Sequence, residues 1–371
     1  MSGKALGHLK TGRPASFRAD RGPKKHTVTL IPGDTIGDEL ADAVERVVAA
    51  TGVSLGWERC LGGQKALARH GESLPAELME SVRRNKVALK GHFTTPLGPN
   101  PEQESPSVRL RKLLDLFASV RPARDLDGMT SRYSGVDLVV VRENTEDLYA
   151  GIEHEIVPGV VESLKVVTEA ASRRIARYAF EYATKNSRTS VTAVHKANIM
   201  KMSDGLFLEC CREAAGEFPS IGYRELIADN CIMQLVLDPA KFDVLVMGNM
   251  LGDIISDVCA GLIGGPGTMP GINIGPEVTV FEAIHGNAPH LMGRDLANPL
   301  TMLIPAVALL RHLGEVEAAD RIMAAVSAVL TARGRVTPDL GGNAHTSGMI
   351  DAIIAALPDK VDMAANPAGK E

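Results

Sequence analysis

The chain lacks the features of a membrane protein and those of a disulfide-stabilised one. No apolar run in its 371 residues approaches the length of about 18 residues that a transmembrane helix needs. Its five cysteines are odd in number and form no CxxC pair. These absences argue against a membrane span, a disulfide framework and a cysteine-based zinc site, and they favour a reducing compartment.

Excess charge is missing as well. The net charge is −5, with 23% charged and 45% hydrophobic residues, which is the composition of an ordinary soluble globular protein. We therefore expect neither a nucleic-acid partner nor a membrane partner. A chain of this length can bury a large core, and we expect it to divide into two lobes.

Two nucleotide-binding signatures are also absent. No GxGxxG follows a predicted strand, and no GxxxxGK[ST] is present. The glycine-dense segment GLIGGPGTMPG (261–271) has the wrong spacing and follows a predicted helix. The dinucleotide-binding fingerprint of the Rossmann fold is therefore excluded, and a bound nucleotide would need another route.

Both ends of the chain are predicted to be disordered tails, at residues 1–25 and 358–371. The first of these is basic, with Asp20 as its only acid, and has no apolar stretch typical of a signal peptide. A mitochondrial presequence is the alternative interpretation of this basic segment. We therefore expect a cytoplasmic protein, or a mitochondrial-matrix protein if the segment is a presequence.

Between the tails, short β-rich runs alternate with helical segments. This alternation predicts an α/β fold with an open, largely parallel sheet covered on both faces. Residues 150–167, AGIEHEIVPGVVESLKVV, break the pattern and predict a β-hairpin outside the main sheet, which could pair with a second copy in a dimer. The predicted strands include 26–31, 87–91, 136–143, 190–195 and 243–249, and the predicted helices include 38–50, 107–117, 171–185 and 204–218.

Two acidic residues stand out in the apolar segment NMLGDIISDV (249–258). Asp253 and Asp257 lie four residues apart, so both point to one face of a helix, where they repel each other unless a positive group offsets them. With Asp229 they could supply the hard oxygen ligands that Mg²⁺ or Mn²⁺ prefers. Their position after a predicted strand favours a site, and a solvated helix face is the alternative.

Basic residues form a second candidate set. Arg109, Arg111, Arg121 and Arg142 flank apolar segments, and Arg142 ends a run whose burial without an anion would be costly. Several guanidinium groups at one pocket would suit a substrate with several carboxylates. Pairing with acidic residues of the protein is the alternative for each of them.

Two further residues are candidates for proton transfer. Tyr149 follows the segment RENTEDL, and Lys196 ends the predicted strand SVTAVH. A nearby divalent cation would lower the pKa of a lysine from its usual value of about 10.4, which would allow it to act as a base. For a lone lysine at a strand end, an ordinary surface position is the alternative.

Taken together, several segments resemble the metal-dependent β-decarboxylating dehydrogenases, which include isocitrate and isopropylmalate dehydrogenases. The segments are GDTIGDE, VRENTEDLYAGIEH, VTAVHKANIMKMSDGLF, DVLVMGNMLGDIISD, FEAIHGNAPHLMGRDLANP and TPDLGGNAHTSGMIDAII. The resemblance keeps its order and spacing from about residue 26 to residue 357, and residues 149–274 are most similar to NAD-dependent isocitrate dehydrogenases.

The resemblance implies a two-lobed fold without a Rossmann domain. The large lobe would comprise residues 26–125 and 264–357 on the cofactor side, and the small lobe residues 126–263. The hairpin at 150–167 would be a clasp that joins two subunits, giving a homodimer or a higher homo-oligomer with shared active sites.

By the same resemblance, Asp253 and Asp257 bind Mg²⁺ or Mn²⁺ together with Asp229 from a second copy. Lys196, also from a second copy, takes the proton of the substrate hydroxyl, and Tyr149 returns a proton to the carbon that loses CO₂. Regulatory subunits of such enzymes typically lack one or more of these groups. All five are present here, which favours an enzyme over a non-catalytic regulatory subunit.

The implied substrate is a tricarboxylic or dicarboxylic hydroxy acid bound by Ser105, Ser107, Arg111, Arg121 and Arg142. Ser107 replaces the asparagine of isocitrate enzymes, yet the segment is too polar for the apolar contacts of isopropylmalate enzymes. We expect isocitrate as the substrate. Homoisocitrate, isopropylmalate or another malate-type acid is the alternative.

The implied cofactor is NAD, with NADP as the alternative. The loop HGNAPH (285–290) matches the adenosine loop of the family and assigns His285, Gly286, Ala288, His290 and Asn298 to the cofactor. At residue 290, NAD enzymes usually carry Asp and NADP enzymes Lys, and His is neither.

A further departure from the family is Thr35, where its members have Gly. Because threonine is β-branched, the backbone there must either avoid positive φ or be strained.

Overall fold

The computed structural model describes residues 26–95 and 104–359. The basic segment 1–25 and most of the predicted carboxy-terminal tail, residues 360–371, lie outside the described residues. Within the described ranges, no helix is long and apolar enough to cross a membrane.

A mixed sheet of ten strands runs through the described part of the chain, in the order β2-β1-β3-β12-β11-β4-β5-β10-β8-β9. Neighbouring strands are parallel except around β4 and β11, which pair antiparallel with each other, with β5 and with β12. The strands of this sheet are β1 (His26–Ile31), β2 (Leu55–Arg59), β3 (Val87–Lys90), β4 (Ala118–Arg124), β5 (Asp137–Glu143), β8 (Ser190–His195), β9 (Gly222–Ile227), β10 (Val244–Met247), β11 (Gly271–Ile274) and β12 (Thr279–Glu282).

Helices cover the sheet, and this confirms the predicted α/β fold with a largely parallel sheet. They are α1 (Gly37–Ala50), α2 (Gln64–His70), α3 (Ala76–Asn85), α4 (Pro106–Leu113), α5 (Glu169–Lys185), α6 (Ser203–Glu217), α7 (Ala228–Leu237), α8 (Asn249–Leu262), α9 (Leu300–His312), α10 (Val316–Ala332) and α11 (Thr346–Ala355). The predicted helix 107–117 is shorter than expected, because Asp115 adopts a positive φ of 45° and cannot continue it.

Apolar periodicity accounts for the way these elements pack. In α1, Leu40, Val44 and Val47 recur at helical spacing and are fully buried. In β10, all four residues from Val244 to Met247 are buried, as expected of a parallel strand covered on both faces. The largest cluster of the core joins α1, α9, α10 and α11 to the β1 side of the sheet. A second cluster packs α5 and α6 on the β5 side.

One uninterrupted sheet spans both halves of the chain, with β4 and β11 next to each other at its centre. The predicted lobe boundary at residue 125 falls directly after β4, and the boundary at residue 263 falls directly after α8. The division into a large and a small lobe stays a prediction.

The predicted hairpin forms a separate two-stranded sheet of β6 (Glu153–Val157) and β7 (Val160–Ser163). Every residue of both strands is exposed, including Ile156 and Val161. Gly159, with a φ of 84°, makes the turn between the strands. An exposed apolar hairpin of this kind is a surface that another chain can cover.

Candidate active site

The two carboxylates of the apolar helix lie at the wall of a cavity of about 640 Å³. Helix α8 begins directly after β10, so Asp253 and Asp257 project from its second and third turns at the carboxyl end of a parallel strand. In this chain the side chain of Asp257 is 70% exposed and that of Asp253 is 37% exposed. The cavity also brings together the predicted residues Ser105, Ser107, Arg111, Arg121, Tyr149, His285 and Gly286.

Two arginines offset the repulsion between these carboxylates. Arg121 on β4 lies 3.3 Å from Asp253 Oδ1 and 3.6 Å from Asp257 Oδ1. Arg142 on β5 is fully buried and forms an ion pair with Asp253. Its Nε and Nη2 donate to Asn249 Oδ1 at 3.0 and 2.7 Å. Arg142 is thus bound by groups of the protein, and its assignment to the substrate stays a prediction.

A glycine on α8 makes this contact with Arg142 possible. A Cβ added at Gly252 would overlap the aliphatic part of the Arg142 side chain. Because glycine leaves that space open, the helix can approach β5 closely enough for Arg142 to reach Asp253.

The neighbouring groups shift the pKa values of Asp253 and Asp257 in opposite directions. Burial alone would raise the pKa of Asp253, but Arg142 and Arg121 outweigh it, so the net shift is downward. For Asp257, burial and the neighbouring Asp253 raise the pKa, although Arg121 opposes them. Asp253 is therefore the firmly ionised member of the pair.

Tyr149 completes this side of the cavity. Its hydroxyl donates to Asp253 Oδ2 at 2.5 Å, and its ring lies 5.0 Å from the guanidinium carbon of Arg142. Burial raises the pKa of Tyr149, and the bond to Asp253 adds to the shift. The hydroxyl thus carries its proton at neutral pH and can act as a donor.

The turn that carries Tyr149 is tied to the start of α8 by Asp147. The Asp147 carboxylate is buried and accepts hydrogen bonds from the backbone N–H of Leu148 at 2.8 Å and of Met250 at 3.1 Å. Its backbone has a φ of 72° and a ψ of −149°, a conformation that is costly for any residue except glycine. These two bonds position Tyr149 relative to the acidic face of α8.

A buried ionic cluster also lines the cavity, and sequence reasoning missed two of its members. Glu282 Oε1 is 3.2 Å from Arg111 Nη2, and Glu282 Oε2 is 3.3 Å from Lys90 Nζ. Burial opposes ionisation of Glu282, but Lys90 and Arg111 outweigh it and hold its pKa far below the usual range. Burial lowers the pKa of Lys90. Lys90 and Glu282 each end a buried strand, which was the signal available in the sequence.

Two guanidinium groups keep unused hydrogen-bonding capacity. The Nε atoms of Arg111 and Arg121 are buried and have no hydrogen-bond partner among the described residues. An unpaired buried donor is costly, and a carboxylate is the partner that a guanidinium binds best. The two arginines of the cavity therefore favour an anionic ligand.

The predicted serines lie at the amino-terminal end of α4. Ser105 immediately precedes the helix, and its hydroxyl lies 3.0 Å from the hydroxyl of Thr95. Ser107 lies in the first turn, and both serines line the cavity with Arg111. The positive end of the helix dipole adds to the preference for negative charge there.

A second cavity, of about 490 Å³, collects all five residues predicted to bind the cofactor: His285, Gly286, Ala288, His290 and Asn298. His285 and Gly286 line both cavities. Asn298 Nδ2 donates to Asp339 Oδ2 at 2.8 Å, so Asp339, which we did not single out, shapes this cavity as well. Burial lowers the pKa of His285, so its imidazole is neutral at physiological pH.

Within one chain, Lys196 and Asp229 do not lie with Asp253 and Asp257, and they line neither of the two cavities. They form an ion pair with each other, at the end of β8 and in the first turn of α7. No group of three or more His, Cys, Asp or Glu residues that could hold a metal occurs within residues 26–95 and 104–359. Large apolar side chains nearby are exposed: Ile199, Met202, Met233, Leu237 and Ile254.

Comparison with known proteins identifies the same protein family that the sequence motifs resemble. The family model described as isocitrate/isopropylmalate dehydrogenase matches residues 27–353. The mitochondrial NAD isocitrate dehydrogenase catalytic subunit 5 of Arabidopsis thaliana is 50% identical over 328 residues, covering 88% of this chain and 87% of the relative. The mitochondrial NAD isocitrate dehydrogenase regulatory subunit 2 of the same plant is 49% identical over 342 residues, covering 90% of each chain. The crystal structure of isocitrate dehydrogenase from Methylococcus capsulatus is 46% identical, with a TM-score of 0.86, and covers 90% of this chain and all of that one.

The buried cluster at Glu282 leads to a prediction about stability. Glu282→Gln leaves Lys90 and Arg111 without their shared counterion, so we expect the free energy of unfolding to fall by about 3–5 kcal/mol in urea titrations. As a control, Glu217→Gln removes an exposed ion pair with Arg177 and should lower the free energy of unfolding far less, because solvent screens that pair. Equal losses in the two variants would contradict the role of the buried cluster.

The same variant should also change the pH dependence of stability. Because the folded-state pKa of Glu282 is depressed, its contribution is present above the unfolded value of 4.5 and is lost as the pH falls below it. The difference in the free energy of unfolding between wild type and Glu282→Gln should therefore become smaller as the pH is lowered, when the urea titrations are repeated at acidic pH.

Proposed function

Since this chain belongs to the isocitrate/isopropylmalate dehydrogenase family, we propose that it catalyses the NAD-dependent oxidative decarboxylation of isocitrate to 2-oxoglutarate. The observation that carries the proposal is the first cavity, where hydroxyl, guanidinium and carboxylate groups surround a space large enough for a small polycarboxylic acid. A tricarboxylic hydroxy acid matches these groups in charge.

The choice of substrate within the family rests on Ser105, Ser107 and the two arginines of the cavity. Arg111 and Arg121 would each bind a carboxylate of the substrate, because both line the cavity and a guanidinium binds a carboxylate strongly. The hydroxyls of Ser105 and Ser107 would bind a further carboxylate, whereas an isopropyl group would leave them unsatisfied. Homoisocitrate or another malate-type acid remains the alternative within the family.

The donor set on α8 fits a divalent cation such as Mg²⁺ or Mn²⁺. Asp253 and Asp257 are hard oxygen ligands on adjacent turns, and Asp229 of a second copy would be the third. When bound, the cation supplies Lewis-acid stabilisation of the negative charge that develops as CO₂ leaves. Arg121 and Arg142 keep Asp253 ionised, so a proton does not compete for that ligand.

Two residues would handle protons. Tyr149 is protonated and hydrogen-bonded at the cavity wall, and it would deliver a proton to the carbon that has lost CO₂. Lys196 of a second copy would remove the proton from the substrate hydroxyl, because within one chain it lies with Asp229 and outside both cavities.

A second copy would also cover two exposed apolar surfaces. One is the hairpin of β6 and β7, and the other contains Ile199, Met202 and Leu237 near the Lys196–Asp229 pair. Bringing that pair to the acidic face of α8 of a partner would complete the site. The assembly could be a homodimer or, as the name of the catalytic subunit from Arabidopsis thaliana indicates for that relative, part of an enzyme with several kinds of subunit.

The second cavity is proposed as the dinucleotide site. His285 and Gly286 lie between the two cavities, which would place the hydride acceptor beside the substrate, while Ala288, His290 and Asn298 would bind the adenosine part. NAD is preferred over NADP on the names of the curated relatives. Localisation in the cytoplasm, or in the mitochondrial matrix, stays a prediction.

The alternative function is that of a non-catalytic regulatory subunit, because a regulatory subunit of NAD isocitrate dehydrogenase is 49% identical to this chain. The presence of Tyr149 and Lys196 and of the three aspartates favours catalysis. We expect purified protein with isocitrate and Mn²⁺ to reduce NAD, followed by the absorbance of NADH. No reduction of NAD or NADP would support this alternative, and faster turnover of homoisocitrate or 3-isopropylmalate would reassign the substrate.

The role of Lys196 can be separated from binding. Lys196→Met should lower kcat at least about 100-fold with little change in substrate affinity, because the residue acts on a proton. Lys185→Met, which replaces an exposed lysine in the last turn of α5, is the matched control and should keep the wild-type kcat. Loss of affinity in proportion to the rate would contradict a role in proton transfer.

The identity of residue 290 should influence cofactor choice. His290→Asp should raise the NAD to NADP ratio of kcat/KM by about tenfold, because a carboxylate accepts from a ribose 2′-hydroxyl and repels a 2′-phosphate. His70→Asp, on an exposed histidine at the end of α2, should leave the ratio unchanged. An unaltered ratio in His290→Asp would show that residue 290 does not face the ribose.

A further inference from the structure

The loop between the two cavities comprises residues 283–291, and residues 283–288 of it have no regular secondary structure. Its first part is pinned to β3, because the Ala283 N–H donates to Lys90 O at 2.9 Å. Its second part, from Ala288 to Leu291, lines only the second cavity. What fixes the middle of the loop therefore decides where that second part lies.

Asn287 is the point at which two threonine hydroxyls hold the loop. Thr35 Oγ1 donates to Asn287 O at 2.6 Å, and Thr94 Oγ1 donates to Asn287 Oδ1 at 2.7 Å. The three residues lie far apart in the sequence, so these bonds join three separate segments of the chain. All three side chains are partly buried, which shields the bonds from water.

The two threonine segments are themselves joined by Asp34. The Asp34 N–H donates to His92 O at 2.8 Å, and Asp34 Oδ2 accepts from the Thr94 N–H at 2.7 Å. Asp34 Oδ1 also accepts from the Gln64 N–H at 2.8 Å. Asp34 is buried, and its hydrogen bonds hold the segments that carry Thr35 and Thr94 in a fixed relative position.

Thr35 occupies this position although its backbone is unsuited to it. Its φ is 42°, in the left-handed region that a β-branched residue rarely adopts, and Ala288 on the other side of the contact has the same φ of 42°. Glycine would adopt this conformation without strain but has no hydroxyl. Strain of this kind persists where the surroundings hold the residue in place, and it points to a role for the side chain.

We propose that the hydroxyl of Thr35, together with that of Thr94, clamps Asn287 and thereby positions the second part of the loop for the dinucleotide. Thr35 is a positioning residue, because it acts through Asn287, and the inference rests on the proposed function of the second cavity. The clamp sets affinity for the cofactor and leaves the anion-binding side chains of the first cavity in place, since these belong to α4 and β4.

The test measures the Kd of NADH by calorimetry without substrate, together with the KM of isocitrate. Thr35→Val keeps the β-branched shape without the hydroxyl, and it should raise the Kd of NADH about tenfold, as expected for the loss of one hydrogen bond. Thr35→Ser keeps the hydroxyl and should stay within about twofold of wild type. The KM of isocitrate should also change less than about twofold in both variants.

Thr94→Val approaches the clamp from the other segment, and it should raise the Kd of NADH by a similar factor. It decides the question if Thr35→Val does not fold. Thr184→Val is the matched control, because it removes a hydroxyl bond to Phe180 O of 2.9 Å in α5, and it should leave the Kd of NADH unchanged.

The possible failures are distinguishable. Wild-type protein that binds neither NADH nor NADPH would overturn the proposed function, and the clamp with it. Wild-type binding of NADH combined with unchanged Kd values in folded Thr35→Val or Thr94→Val would overturn the clamp alone. A Thr35→Ser variant that binds as weakly as Thr35→Val would show that the hydroxyl is not the group that matters.

Discussion

The candidate site depends on the burial of a guanidinium. Arg142 lies inside the sheet with no exposed surface, and the cost of placing a charge there is offset by Asp253 and by the amide of Asn249. This contact fixes one carboxylate of α8 in its ionised form and holds Tyr149 beside it. Removing Asp253 would be costly, because Arg142 would then be buried with only the neutral amide of Asn249 as its partner.

Much of the fold was predictable because it follows from local patterns. The strands at 26–31 and 190–195 have the predicted bounds, and the hairpin lies within the predicted segment 150–167. The antiparallel pairing of β4 with β11 was not predictable, because it joins residues about 150 positions apart and has no local signature.

The site was predictable to the extent that its charged residues end apolar elements. That criterion found Arg142, and applied to VALK and TVFE it would also have found Lys90 and Glu282; Arg121 was found because it flanks an apolar segment, and Asp253 because it lies four residues from Asp257. The partners could not be predicted, because an arginine at a strand end binds either a ligand or a protein carboxylate, and only the folded chain distinguishes the two. For Thr35 the sequence left two alternatives, a backbone that avoids positive φ or one that is strained; the φ of 42° selects the second, and nothing in the sequence indicated the bond to Asn287.

The continuous ten-stranded sheet has a mechanical consequence. Many two-lobed enzymes open and close about a flexible linker, but here a hydrogen-bonded ladder between β4 and β11 joins the two halves of the sheet, and β4 carries Arg121 of the first cavity. A change in the width of that cavity would have to come from added twist or bending in these two strands, spread over several residues. A small distortion of β4 would therefore move Arg121 relative to its carboxylate partners Asp253 and Asp257.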